Sequence, residues 1–151
     1  MDLFLLSQQM SLILSVMGAE YSFCLRDSDL RGIQLSYLLA VCRLPGATQD
    51  SLAKDLGVDK SNVARQMSEL ESLGYVLRRR DQNDRRRVFV DPTDRAYDML
   101  PTLVEIITDC QGELTRGMSK EEKELLSELM ARMARNAARL AAQRRLHDDD
   151  E

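Results

Sequence analysis

Residues 48–90 constrain the fold of this chain more than any other part of the sequence. Leu52 and Leu56, four positions apart, predict the apolar face of a short helix, and Gly57 can end that helix in a left-handed conformation. Asp59 is the predicted N-cap of a second helix, with its carboxylate placed to accept a hydrogen bond from the first-turn N–H groups. Two helices joined by so short a turn are typical of a helix-turn-helix.

The second of these helices is predicted to bury one face and to expose a polar one. Val63, Met67 and Leu70 recur at helical spacing, so they should face the core. Polar and basic side chains of the kind that read base edges in DNA remain on the outer face, although an ordinary solvated face is the alternative. They are Ser61, Asn62, Arg65, Gln66 and Ser68, with Lys60 at the helix N-terminus, where a phosphate can bind.

A short basic hairpin follows the second helix. Residues 75–79 predict a strand, and residues 88–90 predict its antiparallel partner. Six arginines between positions 78 and 87 are opposed only by Asp81 and Asp84, which gives the hairpin a local charge of +4 in a chain whose net charge is −4. This reversal of sign indicates a surface for a polyanion, and an exposed turn with weak surface ion pairs is the alternative.

With these elements the chain resembles the MarR family of bacterial transcription factors over nearly its whole length. The resemblance is carried by the helix-turn-helix core LAKDLGVDKSNVARQMSELESLGYVLRR, by the wing motif Asp84-Arg85-Arg86 and by Met118-Ser119-Lys120-Glu121-Glu122 before a final helix. In the family, an arginine two positions after the wing aspartate enters the minor groove of DNA while the aspartate orients it. The resemblance therefore implies these roles for Arg86 and Asp84.

The chain departs from the family directly after the wing. Where the family has Leu-Thr-x-x-Gly, this sequence has Pro92-Thr93-Asp94-Arg95-Ala96, in which Thr93 still serves as the N-cap of the next helix. The resemblance and the polar helix face together predict contacts with double-stranded DNA at a palindromic operator. The predicted contact residues are Lys60, Ser61, Asn62, Arg65, Gln66, Arg79, Asp84, Arg85 and Arg86.

Both ends of the chain predict helices with more apolar surface than one subunit can cover. Such stripes imply a partner helix from a second subunit, and in the family the chain ends interleave to form a two-fold dimer that faces a palindrome. The expected fold is mainly α with a small β-wing, a winged helix-turn-helix with dimerisation helices at both ends. The expected single domain, residues 1–151, comprises a winged helix-turn-helix at 33–91, dimerisation helices at 1–22 and 93–142, and an acidic tail at 146–151.

Two further sets of side chains allow a functional and a structural interpretation. Met17, Tyr21 and Tyr37 are candidates for a cleft in which related regulators bind small aromatic effectors, and plain core is the alternative for each. The cysteines are Cys24, Cys42 and Cys110, which are odd in number and far apart, as expected in a reducing compartment. Arg26 near Cys24 could lower the pKa of that thiol, so a redox-responsive regulator is an alternative function.

The composition argues against an enzyme, a cofactor and a metal site. The chain has one histidine, His147, no phosphate-binding glycine loop and no plausible pair of nucleophile and base. The N-terminal apolar stretch is too short and too polar to span a bilayer, so a cytoplasmic location is expected. The predicted function is a dimeric DNA-binding repressor released by a small-molecule effector. A winged-helix module that binds protein is the rival, which the overall acidity favours and the clustered arginines oppose.

Overall fold

The computed structural model describes residues 3–148 and the side chains of residues 4–143. The chain divides into two compact units, the first up to Gln111 and the second from Gly112 onward. Its helices and strands confirm a mainly α fold with a small sheet. In chain order they are α1 (Leu3–Cys24), α2 (Gln34–Arg43), β1 (Ala47–Thr48), α3 (Gln49–Leu56), α4 (Lys60–Ser72), β2 (Val76–Arg80), β3 (Val88–Pro92), α5 (Asp94–Leu114) and α6 (Lys120–Asp148).

The helix-turn-helix forms where the sequence predicts it. Thr48 caps α3, since its side chain accepts a hydrogen bond from the N–H of Ser51, and Gly57 ends the helix in the left-handed region at φ 66°. Asp59 occupies the N-cap position of α4, but the predicted hydrogen bond to its carboxylate does not form. The backbone carbonyl of Asp59 accepts from the N–H of Asn62 at 3.1 Å instead, so that first-turn donor has no need of the side chain.

The three strands form an antiparallel sheet in the order β1-β3-β2. In the hairpin, Arg79 pairs with Phe89 and Arg78 pairs with Val90. Strand β2 begins and ends one residue later than predicted. Strand β1 was not predicted, because two residues are too few to show the alternation of a strand. Its pairing with β3 joins the wing to the start of the helix-turn-helix.

The core of the first unit lies among α2, α3, α4, α5 and the sheet. The predicted inward residues of α4 are fully buried, and they pack with side chains of the neighbouring elements. Complete burial of one such side chain stabilises the fold by roughly 1.5–3 kcal/mol. The core members with no exposed surface are Leu35, Leu38, Val41, Leu52, Val63, Met67, Leu70, Val90, Ala96 and Leu103.

Helices α1 and α6 expose much apolar surface. Leu12 and Leu14 of α1 are 64% and 67% exposed, and Leu125 and Leu140 of α6 are 55% and 61% exposed. Among the described residues, no helix is long and apolar enough to cross a membrane. The predicted division of 1–151 into functional segments stays a prediction. Of the predicted acidic tail, α6 includes the residues up to Asp148, and residues 149–151 lie outside the described part.

The start of α6 has the capping box that the sequence predicts. The Ser119 N–H donates to Glu122 Oε2 at 2.7 Å, and the Glu122 N–H donates to Ser119 Oγ at 3.2 Å. Gly117, at φ 84°, takes the left-handed conformation just before this box. Local sequence therefore determines where α6 begins.

Candidate nucleic-acid interface

Helix α4 is anchored through a polar residue that the sequence analysis placed on its outer face. Gln66 is only 2% exposed, so the prediction that it faces solvent is wrong. Position 66 lies three residues after Val63 and four before Leu70, which puts it on the same face as the apolar stripe. Its Oε1 accepts a hydrogen bond from Arg31 Nη2 at 3.4 Å. A polar residue within an apolar stripe was the signal available in the sequence.

A polar network around the buried Gln34 links α4 to the loop between α1 and α2. Gln34, 1% exposed, donates from Nε2 to Glu69 Oε2 at 3.0 Å, and its Oε1 accepts from the Arg31 N–H at 2.9 Å. The Arg31 guanidinium pairs with the same Glu69 carboxylate. Because buried polar groups must be satisfied by fixed partners, this network sets the rotation of α4 about its axis.

The outer face of α4 presents the remaining predicted residues. Ser61, Arg65 and Ser68 are exposed, as predicted. Asn62 is half-buried, and its Oδ1 accepts a hydrogen bond from Arg65 Nη2 at 3.0 Å. At the start of the helix, Lys60 Nζ lies 2.9 Å from Asp50 Oδ2, so an aspartate of α3 partly balances this cation.

Two of the hairpin arginines are held by carboxylates. Arg78 donates from Nε to Glu71 Oε2 at 2.8 Å and from its backbone N–H to Glu71 Oε1 at 3.0 Å. The hydrogen bond from Arg78 lowers the pKa of Glu71, so the pair is ionised at neutral pH. Arg79 Nη2 lies 2.6 Å from Asp91 Oδ2 across the hairpin. Arg78 thus joins the wing to α4, and the charge of Arg79 is balanced within the wing.

Hydrogen bonds from backbone N–H groups to two aspartates shape the tip of the hairpin. Asp84 Oδ1 accepts from the backbone N–H of Arg86 at 3.0 Å, and Asp81 Oδ1 accepts from the N–H of Asn83 at 2.8 Å. Arg87 lies 3.7 Å from the Asp81 carboxylate. The family resemblance implies that Asp84 orients Arg86, and here the contact is with the backbone amide. Asp84 therefore fixes the turn that carries the arginine.

The remaining hairpin arginines carry unbalanced charge. In the part of the chain that the structure describes, Arg80, Arg85 and Arg86 take part in no ion pair, whereas the other three hairpin arginines each face a carboxylate. The sequence could not separate these two groups, because every hairpin arginine has the same local signature. Arg80 therefore joins the candidate DNA contacts, and Arg79 becomes a weaker candidate because Asp91 balances its charge.

The exit of the wing is fixed by residues that the sequence analysis did not select. Tyr75 OH donates to Asp29 Oδ1 at 2.7 Å, and Arg95 Nη2 lies 2.6 Å from Asp29 Oδ2. Burial would raise the pKa of Asp29, but the hydrogen bond from Tyr75 and the charge of Arg95 together lower it. Thr93 caps α5 as predicted, with its Oγ1 3.4 Å from the Ala96 N–H. Arg95, in the segment that departs from the family pattern, thus anchors the exit of the wing by pairing with Asp29.

The three candidate ligand residues differ in how far they are buried. Tyr37 is buried in the core, and Met17 and Tyr21 are half-buried. Burial raises the pKa of Tyr37, while the charge of Arg65 opposes this rise. A cavity of about 570 Å³ lies elsewhere, among α2, α3 and α5. Its lining residues are Ser36, Leu39, Ala40, Cys42, Arg43, Asp55, Leu56, Leu100 and Ile107.

The cysteines are not activated thiols. Burial and the nearby Glu20 carboxylate raise the pKa of Cys24, and burial raises those of Cys42 and Cys110. Arg26 does lower the pKa of Cys24, as predicted, but burial and the Glu20 carboxylate outweigh this effect and leave the pKa raised. A thiol that stays protonated at neutral pH is a poor redox sensor.

The anchored helix α4, the basic hairpin and the three-stranded sheet define a winged helix-turn-helix protein. The sequence model of the MarR family matches residues 28–87. YybA of Bacillus subtilis, an HTH-type transcriptional regulator, is 29% identical over 114 residues, which are 76% of each chain. The resemblance to the MarR family is confirmed over residues 28–87, and the relatives over most of the chain are transcriptional regulators, so the expectation that the protein is not an enzyme is confirmed as well.

Solved structures show the same fold. The crystal structure of MarR is 29% identical and superposes with a TM-score of 0.80, over 91% of this chain and 94% of that chain. A MarR-family regulator from Listeria monocytogenes, crystallised in complex with a 26mer DNA, superposes with a TM-score of 0.81 at 18% identity, over 87% of each chain.

Proposed function

We propose that the protein is a homodimeric repressor that binds an inverted-repeat operator in the cytoplasm and is released from it by a small-molecule effector. One observation carries this proposal: the exposed face of α4 is polar, and the hairpin beside it has arginines without an ion-pair partner among the described residues. Ser61, Arg65 and Ser68 provide hydrogen-bonding groups for base edges, and Arg85 and Arg86 provide cations for the DNA backbone or minor groove.

The charge distribution favours DNA over a protein partner for this surface. The chain is acidic as a whole, at a net charge of −4, so a basic hairpin does not arise from composition. Arg80, Arg85 and Arg86 are exposed and lack carboxylate partners in the described residues. Neutralisation of phosphates by such cations releases counterions and supplies most of the affinity for DNA. The DNA complex of the Listeria monocytogenes regulator supports the same use of this fold.

The homodimer is proposed from the exposed apolar surface of two helices. Leu12 and Leu14 of α1 are largely exposed, and so are Leu125, Met130 and Leu140 of α6. A monomer would leave these apolar side chains in water, whereas a second copy would cover them. A two-fold dimer presents two copies of α4, so its half-sites should lie about one helical turn, roughly 10 bp, apart.

The effector is proposed to be small and largely apolar. The cavity among α2, α3 and α5 has a volume within the range of small-molecule sites, and its lining is mainly aliphatic. The ion pair between Arg43 and Asp55 lies at the same cavity and supplies polar groups for orientation. A ligand there would contact both a helix of the helix-turn-helix and α5, so it would bind differently to DNA-competent and DNA-free states.

Selection of operator fragments from randomised DNA, followed by footprinting, tests the proposal. We expect an inverted repeat bound by one dimer, with affinity at least about 1000-fold above random DNA. Equal affinity for selected and random DNA would contradict a sequence-specific regulator. A protected site without internal symmetry, or a monomer in the complex, would contradict the dimeric arrangement alone.

A further inference from the structure

The outer face of α4 contains a hydrogen bond between two residues that each have the chemistry to read a base. Arg65 Nη2 donates to Asn62 Oδ1 at 3.0 Å, one helical turn away. A guanidinium has only donors, so the Asn62 atom that faces it must be the carbonyl oxygen. Arg65 is exposed and Asn62 is half-buried, so the better-fixed side chain orients the more mobile one.

The backbone that carries this pair is itself fixed. Gln66, directly after Arg65, is buried, and Glu69 is held by Gln34 and Arg31 on the inner side of the same helix. Rotation of α4 would break the hydrogen bonds of the buried Gln66 and Gln34 side chains, which is unfavourable because a buried polar group without a partner is costly. The position of the Arg65 guanidinium therefore depends on its own side-chain torsions, which Asn62 restricts.

We propose that Asn62 is a specificity-determining residue that positions Arg65 on a guanine and does not itself select adenine. This inference rests on the proposed function of operator binding. An asparagine selects adenine by donating to N7 while its carbonyl oxygen accepts from the N6 amino group. In this protein that carbonyl oxygen accepts from Arg65.

The pair therefore presents mainly donors, because Arg65 occupies one of the two lone pairs of Asn62 Oδ1 and lies beside the other. Arg65 retains N–H groups for O6 and N7 of guanine, the commonest specific contact of arginine in the major groove. The Nδ2 amino group of Asn62 can donate to any acceptor on the adjacent base pair, such as a purine N7 or thymine O4. Each half-site should thus require guanine at the Arg65 position and tolerate several bases beside it.

Selection of binding sites with the wild-type protein and four variants tests this arrangement. Arg65→Ala identifies the base pair that Arg65 reads, where discrimination for guanine should fall roughly 5- to 150-fold. Asn62→Ala should reduce discrimination at that same base pair by about 2- to 10-fold, because the unrestrained arginine must be ordered on binding. Asn62→Asp keeps an oxygen acceptor and should preserve the preference for guanine. Ser72→Ala, at the exposed C-terminal end of the same helix and outside the predicted DNA contacts, is the control.

The Asn62→Ala substitution in the Arg65→Ala background completes the design. If Asn62 acts through Arg65, it should have no further effect at the guanine position. The inference is overturned if Asn62→Ala leaves discrimination for guanine unchanged, or if wild-type protein requires adenine at the neighbouring base pair and Asn62→Ala removes that requirement. The proposed function fails separately, if wild-type protein selects no sequence at all.

Discussion

The Asp84 carboxylate binds the backbone N–H of Arg86 at 3.0 Å, rather than its guanidinium. The Arg87 N–H donates to the Asp84 carbonyl oxygen at 2.9 Å, so both polar ends of Asp84 close the turn at the hairpin tip. An acid in the proposed DNA-binding loop thus has a structural use. A substitution can therefore remove the negative charge of Asp84 and keep its hydrogen bond.

Two substitutions of Asp84 should therefore have opposite effects on DNA binding. Asp84→Ala removes the acceptor, so the turn loosens and affinity for the operator should fall about 5- to 10-fold, the equivalent of one net hydrogen bond. Asp84→Asn keeps an oxygen acceptor and removes a negative charge, so affinity should be unchanged or higher. Titrations at several salt concentrations measure both. Tighter binding by Asp84→Ala would show that the tip is a diffuse basic loop.

The hairpin arginines should divide into two classes by salt dependence. Arg86→Ala and Arg85→Ala should each weaken binding and reduce the slope of log affinity against log salt by about 0.9 for each lost phosphate contact, less for a residue in the minor groove. Arg78→Ala should leave the slope nearly unchanged, since Glu71 already binds Arg78. It should instead lower the stability of the folded protein. A full unit of slope lost with Arg78→Ala would contradict this division.

The pair of Glu71 and Arg78 should make stability depend on acid pH. The pKa of Glu71 is lowered in the folded state, so its contribution is present above the ordinary pKa of a glutamate, about 4.3, and is lost as pH falls through the lowered value. Because both side chains are partly exposed, we expect only about 0.5–1 kcal/mol. Urea denaturation of wild type and Glu71→Gln at pH 7 and at pH 3 checks this. The difference between them should be present at pH 7 and small at pH 3.

Leu129→Asp should dissociate the proposed dimer. Leu129 lies on α6 among other exposed apolar residues and is 45% exposed in the single chain. A carboxylate buried without a partner in a dry interface costs several kcal/mol, so dimerisation should weaken at least about 100-fold and operator binding should be lost with it. Ser127→Asp on the same helix is the charge-matched control for sedimentation. A Leu129→Asp protein that remains dimeric at micromolar concentration would place the interface elsewhere.

Gly32→Ala should destabilise the fold through the contact between α1 and the following loop. A Cβ at position 32 would lie 2.7 Å from the backbone nitrogen of Ser22, which cannot move without shifting α1. We expect a loss of roughly 1–3 kcal/mol, as for other overpacked sites. Gly18→Ala on α1 is the control, since its Cβ would meet nothing within 4 Å and alanine favours a helix. Equal melting temperatures of the two variants would refute the close contact.

The amino-acid sequence by itself determined the local elements of this protein. Gly57 ends α3, Thr93 caps α5, and Ser119 with Glu122 begins α6, each at the predicted position. These features depend on backbone conformations and hydrogen bonds within a few residues, so a short stretch of sequence contains all their partners. The helical period likewise identified the buried residues Val63, Met67 and Leu70 before the structure did.

Only the tertiary structure decided which polar groups are available for binding. Gln66 is buried rather than exposed, and its hydrogen-bond partner Arg31 comes from far away in the sequence. Arg79 is balanced by Asp91 across the hairpin, and Arg95 by Asp29 from the loop before α2. A side chain's charge is written in the sequence, but its electrostatic effect depends on the carboxylates within about 4 Å, and these come from residues brought together by folding.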